Sequence, residues 1–151
     1  MNNSEIINIE NGTRVTKFAY LAVVVALIGL GDSVYLTVKH LLDEKVPCTI
    51  LSGCELVLTS QYAEIFGIPT AAFGALAYFL VFSLAILAAF GNRLMWFLFG
   101  LMTIVMMLVT LWLFYLQAFV LKAFCQFCLL SAATTLTLFI IAIVSRFWRY
   151  R

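Results

Sequence analysis

The sequence is poor in charge. Asp, Glu, Lys and Arg make up 11% of the 151 residues and apolar residues make up 65%, against about a quarter and about half in an average soluble domain. A globule of this size cannot hide so much apolar surface, so a soluble enzyme is excluded. The net charge of +2 forms no basic face for nucleic acid. The composition, with a mean hydropathy of +1.11, therefore indicates a small integral membrane protein.

Cysteine and proline are also scarce. Four cysteines in the whole chain are too few for a disulfide-rich secreted scaffold. The two prolines, Pro47 and Pro69, both fall between the first two apolar segments. The chain shows no alternation of the kind found in β-barrels, and lipid accepts only helices or closed barrels. The membrane-spanning elements are therefore predicted to be helices.

Charged residues divide the chain into four long apolar segments. A spanning helix needs roughly 20 mostly apolar residues, and we predict helices near 18–39, 70–91, 94–118 and 123–145. The first ~15 residues are expected to form a loose cytoplasmic tail, because terminal segments are usually poorly ordered. The predicted fold is an all-α integral membrane protein, a four-transmembrane-helix bundle in which residues 1–151 form a single domain.

The connection between the first two helices, from about His40 to Pro69, is too long for a plain turn. The stretch Glu55 to Phe66 predicts a short amphipathic helix, which we expect to lie on the extracytoplasmic bilayer surface as a lid over the bundle. Pro69 can open the next helix, because proline is tolerated in a first helical turn.

Lys and Arg are distributed unequally between the two ends of the predicted bundle. One side holds Arg14, Lys17, Arg93, Arg146, Arg149 and Arg151, and the other holds Lys39, Lys45 and Lys122. By the positive-inside rule, we expect a multi-pass protein of the inner membrane with both termini in the cytoplasm and the cysteines outside. A cleaved signal peptide is not expected, because the leader contains Glu5 and Glu10 and no small-x-small cleavage site follows.

The second cysteine pair, Cys125 and Cys128, forms a Cys-x-x-Cys motif where the fourth helix begins. Unpaired backbone N–H groups and the positive end of the helix dipole favour a thiolate there, which is the form that attacks disulfides. Cys128 lies one turn deeper on the same helix face, where it would look into the bundle. Such a pair suits a relay from a soluble thiol to an oxidant dissolved in the membrane.

The first pair, Cys48 and Cys54, lies in the long loop. A mobile loop can present Cys48 to a partner protein and Cys54 to Cys125, so that electrons move through mixed disulfides. Two alternatives stay open. In the first, the cysteines are structural: Cys48 and Cys54 form a stabilising disulfide, and Cys125 and Cys128 are small core residues. In the second, all four cysteines bind zinc. The spacing of the first pair is untypical of zinc sites, so no metal is predicted.

Several short motifs occur in the order and spacing of a known family. They are Tyr35-Leu36-Thr37, Cys48-x5-Cys54, Ser60, Phe66-Gly67-Ile68-Pro69, Phe73-Gly74 and Cys125-Gln-Phe-Cys128. Over residues of about 30 to 140 the chain resembles the vitamin K epoxide reductase (VKOR) family, specifically its bacterial single-domain members. The DsbB family is also a four-helix, quinone-linked thiol oxidase, but its Cys-x-x-Cys comes early and its widely spaced pair later, so VKOR is the better match.

The resemblance implies an oxidoreductase built around a quinone, ubiquinone or menaquinone, that drives disulfide formation. Cys48 would exchange with an extracytoplasmic thioredoxin-like (DsbA-like) protein, Cys54 with Cys125, and Cys128 would lie next to the quinone. The residues matching positions near the quinone are Ser60, Tyr62 and Phe73. Many bacterial relatives carry a fused thioredoxin domain, and since this chain ends without one, the partner is expected to be a separate protein.

Two positions depart from the animal members of the family. Those enzymes place an Asn on the second helix and a Tyr shortly after the Cys-x-x-Cys, where they hydrogen-bond the ligand, and the aligned residues here are Thr70 and Ala132. The difference favours a plain quinone as substrate. Recycling of vitamin K epoxide or quinone stays an alternative function, as does a non-enzymatic tetraspan scaffold with structural disulfides.

Two titratable residues of the first helix carry further expectations. Asp32 lies about two-thirds of the way across, where an ionised carboxylate costs several kcal/mol. We expect it to be protonated or to face the bundle interior. It is then either a proton relay or a neutral acid that is bonded to Thr or backbone groups or lies close to the rim. His40, the only histidine, is expected to complement the dipole at the end of the helix.

Overall fold

The protein consists of four long helices and a small subdomain between the first two. The structure, a computed structural model, describes residues 3–48 and 53–150, with side chains described for 16–48 and 53–147. Its elements are α1 (Asn3–Leu41), α2 (Cys54–Leu58), β1 (Glu64–Ile65), β2 (Ile68–Pro69), α3 (Thr70–Ala89), α4 (Arg93–Tyr115), a π-helical segment (Leu116–Leu121) and α5 (Gln126–Tyr150).

Four stretches of these helices are long and apolar enough to cross a membrane. They are Thr16–Leu41, Thr70–Ala89, Arg93–Leu121 and Gln126–Phe147. The predicted all-α four-helix membrane bundle is therefore confirmed. Helix α3 begins directly after Pro69, as expected from the fixed φ of proline, which suits the entry to a helix.

Helix α1 extends further back than the sequence suggested. It begins at Asn3, so the residues expected to form a loose tail are helical from that point on. Once the apolar part of α1 has formed, each further residue adds a hydrogen bond without a new nucleation cost.

The four helices pack as a bundle in which α1 and α4 each contact α3 and α5. On α1, the contact surface contains the buried small residues Ala19, Ala22 and Ala26. Small residues allow helix backbones to approach closely in a membrane, where packing replaces the hydrophobic drive of water. At Gly29 the approach is closest, because a Cβ there would lie 2.2 Å from the Tyr78 ring.

Buried hydrogen bonds join α5 to its neighbours. The Tyr78 hydroxyl of α3 bonds the Ser131 carbonyl at 2.8 Å, the Thr134 hydroxyl at 2.7 Å and the Thr135 hydroxyl at 2.9 Å. Nearer the other end of α5, Trp96 Nε1 donates to Ser145 Oγ at 3.1 Å. These bonds give partners to the polar groups of Tyr78, Trp96 and the α5 hydroxyls that they join, as burial requires.

The predicted amphipathic lid helix over Glu55 to Phe66 is not confirmed. Helix α2 ends at Leu58, and β1 and β2 form an antiparallel hairpin. The hydroxyls of Thr59 and Ser60 donate to the carbonyls of Glu55 and Val57, and such local bonds compete with the continuing helix.

The turn of the hairpin explains why the helix does not resume. Phe66 and Gly67 both have positive φ, at 55° and 77°, which is the backbone of a two-residue hairpin turn. Glycine adopts this conformation without strain. The hairpin leads directly into α3, so the small subdomain covers one end of the bundle.

Candidate functional site: two cysteine pairs and an intramembrane cavity

The structure brings the two cysteine pairs together. Cys48 and Cys54 form a disulfide whose Cα atoms are 6.2 Å apart, whereas Cys125 and Cys128 are thiols. Cys54 and Cys125 are buried in one apolar cluster with Val57, and Cys48 and Cys128 pack against it. The long loop and the start of α5 therefore meet at their cysteines.

Gly53 makes this meeting possible. A Cβ at Gly53 would lie 2.8 Å from the Phe124 carbonyl oxygen and 2.9 Å from the Phe124 nitrogen. The chain just before Cys54 therefore passes against the backbone just before Cys125, and a side chain at position 53 would force the two apart. The sequence analysis did not identify Gly53, because no pattern in the neighbouring residues shows that its backbone approaches Phe124.

Gln117 holds both cysteines of the second pair. It lies in the π-helical segment, and its side chain is buried. Its Oε1 accepts a hydrogen bond from the Cys125 N–H at 3.2 Å, and its side chain also hydrogen-bonds Cys128. π-helical turns recur at functional sites. The sequence analysis missed Gln117, although an amide within an apolar span, which is expensive to bury, was a signal.

Cys125 has the properties of a reactive thiol. A hydrogen bond from the Cys128 thiol is the largest cause that lowers the pKa of Cys125, to about 7; burial opposes it, and the N–H groups of Cys128 and Phe127 add to the lowering. This direction is the one expected of a thiol at the start of a helix. The surroundings of Cys125 therefore favour its thiolate, the form that attacks disulfides.

A cavity of about 140 Å³ lies between the helices beside Cys128. The membrane helices, α2, the π-helical segment and the chain around the hairpin all contribute to its wall. Most of the wall is apolar, and hydroxyl groups are added by Ser33, Ser60, Thr110 and Ser131. An apolar cavity with a few polar groups is the usual form of a site for a small organic molecule.

Two of the three residues expected near a quinone line this cavity, namely Ser60 and Tyr62. Phe73 does not: it is absent from the wall, and its side chain is 44% exposed. The α3 residues on the wall include Thr70 and Gly74. Because successive helical residues are turned by about 100°, position 73 points to a different side of α3, and a place for Phe73 near a quinone stays a prediction.

The two positions that depart from the animal enzymes, Thr70 and Ala132, both line the cavity. The Thr70 hydroxyl donates to the Tyr62 carbonyl at 3.1 Å, and alanine has no polar side chain. Neither position therefore supplies the amide or the phenol that stands there in the animal members.

Asp32 of α1 is also on the cavity wall. Its side chain faces the bundle interior, as expected, with 8% of the residue exposed. Neither carboxyl oxygen has a hydrogen-bond partner among the residues that the structure describes. Among the described residues, no Thr or backbone group bonds Asp32, so that interpretation of the carboxyl group is wrong for them.

His40 connects α1 to the hairpin at the cavity. Its Nε2 lies 2.9 Å from Glu64 Oε1 of β1, and His40 is itself on the cavity wall. A second ion pair joins Lys45 to Glu55 of α2 at 3.1 Å. Both pairs link the chain at and just after the end of α1 to the small subdomain. His40 lies in the last turn of α1, as expected, and the side chain of Glu64 is a further partner.

Fold and site together define a class: a multi-pass membrane protein in which two cysteine pairs meet beside an intramembrane cavity. Comparison with known protein families matches residues 20–143 to the vitamin K epoxide reductase family. The chain belongs to this family. It is therefore a membrane oxidoreductase of the group whose general chemistry is that of disulfides and quinones.

Proposed function

We propose that this protein oxidises an extracytoplasmic thioredoxin-like partner through its two cysteine pairs and passes the electrons to a membrane quinone, thereby driving disulfide formation. The observation that supports the proposal is a continuous series of contacts. Cys48 is half-buried, Cys54 and Cys125 are buried together, and Cys128 lines the cavity.

The first exchange takes place at the Cys48–Cys54 disulfide. A thiolate of the partner attacks Cys48 Sγ, and Cys54 leaves as a thiolate; the second thiol of the partner then resolves the mixed disulfide and releases Cys48. The partner leaves oxidised, with two electrons transferred. Cys48 is the more accessible of the two sulfurs, since Cys54 is 1% exposed, and access decides which sulfur is attacked.

The second exchange passes the electrons to α5. The Cys54 thiolate attacks Cys125 Sγ of a Cys125–Cys128 disulfide, and Cys48 then attacks Cys54, which re-forms the loop disulfide and releases Cys125. The lowered pKa of Cys125, about 7, makes it a good leaving group. The described state, a loop disulfide with two thiols in α5, is the product of this exchange.

The cavity residues fit a quinone. Leu36, Leu113 and Leu116 offer apolar wall for a flat ring, and the Asp32 carboxyl group lacks any other partner among the described residues. A bound quinone would accept two electrons and two protons. Cys128 is the thiol on the cavity wall, so it is the residue that would deliver the electrons there.

Among the candidate acceptors, a plain quinone such as ubiquinone or menaquinone is favoured over vitamin K epoxide. Support comes from Thr70 and Ala132, which line the cavity without offering an amide or a phenol to a ligand. The proposed location is the inner membrane, with both termini in the cytoplasm. The cysteines then lie in the oxidising compartment, where disulfides persist.

The test is dithiol-dependent reduction of ubiquinone and menaquinone by the purified protein in detergent. We expect turnover in the parent, loss of turnover in Cys128→Ala, and retention in Thr137→Ala, a matched change at an exposed position of α5. Thiol-trapping gels run in parallel distinguish the scaffold alternative. A parent without turnover, whose cysteines keep one redox state whatever dithiol or quinone is added, would establish that alternative instead.

A further inference from the structure

Asp32 is an ionisable group of the cavity wall that the cysteine relay leaves without a role. Asp32 is more than nine-tenths buried and lies on the wall that also contains Cys128. Both of its carboxyl oxygens lack a hydrogen-bond partner among the described residues. Burying a polar group without a partner costs several kcal/mol. A carboxyl group is retained at such a place when something that binds there is its partner.

The neighbourhood of Asp32 favours the protonated acid. The titratable side chains on the cavity wall are His40 from the end of α1, Tyr62 from the small subdomain and Cys128 from α5. His40 is already paired with Glu64, and the residues lining the cavity include no Lys or Arg. A negative charge on Asp32 would also act against negative charge on the thiols of α5, which are within its electrostatic reach.

We propose that Asp32, as a carboxylic acid, hydrogen-bonds a carbonyl oxygen of the quinone in this cavity and passes it a proton during reduction. The inference rests on the proposed function, because it assigns a general acid to the final step of the same relay. It makes Asp32 a catalytic residue beside Cys128 and explains why the carboxyl group has no protein partner.

The proton and electron balance closes without another oxidant or reductant. Oxidation of Cys125 and Cys128 to a disulfide releases two electrons and, when both are thiols, two protons; when Cys125 is a thiolate, the proton that it has already lost is returned from water. Conversion of a quinone to a quinol uses the same number of each. Asp32 gives its proton to the carbonyl oxygen and regains one from the thiols, so the carboxyl group ends the cycle protonated.

The central experiment compares Asp32→Asn with the parent in quinone reduction. Asn keeps the shape and hydrogen-bonding ability of the acid but has no acidic proton. We expect kcat to fall by about 100-fold, at the low end of what a general acid contributes, with partial recovery in Asp32→Glu. The matched control is Asp43→Asn, the same substitution at an exposed position just beyond α1, which should keep the activity of the parent.

Two measurements separate proton transfer from a structural role. With ubiquinone as the acceptor, the parent should lose activity as rising pH ionises Asp32, and Asp32→Asn should lack this alkaline fall. In the protein without quinone, infrared difference spectra should show the C=O band of a buried carboxylic acid that Asp32→Asn removes. Acceptance of electrons from dithiothreitol by the loop disulfide should be the same in both proteins.

Each result has one meaning. An Asp32→Asn variant with the turnover and pH profile of the parent overturns the proposal and leaves the relay intact. Equal loss of quinone reduction and of electron acceptance from dithiothreitol also overturns it, since the role would then be structural. The absence of the carboxylic-acid band contradicts the protonated state. A parent that reduces no quinone removes the proposed function and this inference with it.

Discussion

At the scale of single residues, the site depends on the different surroundings of two cysteines on one helical turn. Cys125 directly precedes α5 and receives hydrogen bonds from N–H groups of the first turn of that helix. It is buried in the same apolar cluster as Cys54. Cys128 lies on the cavity wall. One sulfur is therefore arranged for exchange with another disulfide and the other for contact with a membrane-dissolved acceptor.

This difference predicts the result of removing Cys128. The hydrogen bond from the Cys128 thiol is the largest cause of the lowered pKa of Cys125, about 7, so Cys128→Ala should raise that pKa toward the ordinary thiol value of about 8.5. Because the shift in the parent is downward, its thiolate is present above about pH 7 and is lost below it. In the variant, the thiolate should appear only at higher pH.

The measurement is the ultraviolet absorbance of the thiolate in a pH titration of protein with an intact loop disulfide. With the loop disulfide intact, Cys125 is the remaining thiol in Cys128→Ala, and the double variant Cys125→Ala, Cys128→Ala gives the baseline. An unchanged midpoint would show that the backbone N–H groups, and not the neighbouring thiol, set the pKa.

The cysteines and Ser60 could be located from the sequence, because their motifs are local and their spacing is fixed. Gln117 and Gly53 could not, because each acts on residues that are distant in the chain: Gln117 on the start of α5, and Gly53 on Phe124. The side of α3 on which Phe73 lies could not be predicted either, for a related reason. Its motif gives a position in the chain, whereas the rotation of α3 is set by packing against α1, at contacts such as Gly29 with Tyr78.

At the scale of elements, the small subdomain between α1 and α3 decides whether the two cysteine pairs meet. The four membrane spans were predictable, since length and hydropathy alone identify them. The subdomain was not, because its sequence pattern differs little from that of a longer amphipathic helix. The structure instead has a five-residue helix, a few side-chain-to-backbone bonds and a hairpin turn. Its structure is set by positive φ at Phe66 and Gly67 and by ion pairs to the end of α1.

The approach of the subdomain to α5 predicts a defect in Gly53→Ala. A Cβ would lie within 3 Å of the Phe124 backbone, which cannot give way as a flexible side chain would. The added atom should push Cys54 away from Cys125. In a Cys48→Ser, Cys128→Ser background, which leaves only these two cysteines, the yield of the Cys54–Cys125 disulfide on mild oxidation should fall several-fold, as non-reducing gels would measure.

The matched control is Gly31→Ala. A Cβ there meets nothing within 4 Å, and alanine is a better helix former than glycine by about 1 kcal/mol, so cross-linking should be unchanged. Equal yields in Gly53→Ala and its parent would mean that the loop is free to move and that the close approach at Gly53 has no part in bringing the pairs together.

At the scale of the whole molecule, the two ends of the bundle differ in both chemistry and charge. One end contains the cysteine cluster, the ion-paired subdomain and the cavity mouth near His40. The opposite end contains the short connection between α3 and α4. Between the two ends, buried bonds such as that of Tyr78 to Thr134 hold α3 against α5.

The unequal distribution of Lys and Arg predicts how the bundle lies in the membrane. In the structure, Lys17, Arg93 and Arg146 are at the end away from the cysteines, whereas Lys39, Lys45 and Lys122 are at the cysteine end. The sequence adds Arg14, Arg149 and Arg151 to the predicted cytoplasmic side. Six positive residues against three should retain the first end in the cytoplasm.

A membrane-impermeant maleimide applied to spheroplasts checks this orientation. Asp43→Cys and Asn92→Cys place single new thiols at exposed positions on opposite ends of the bundle. We expect labelling of Asp43→Cys in intact spheroplasts and of Asn92→Cys only after lysis, each above the parent, whose native thiols set the background. The reverse pattern would place the cysteines in the reducing cytoplasm, where the loop disulfide would not persist, and the direction of electron flow proposed here would then be wrong.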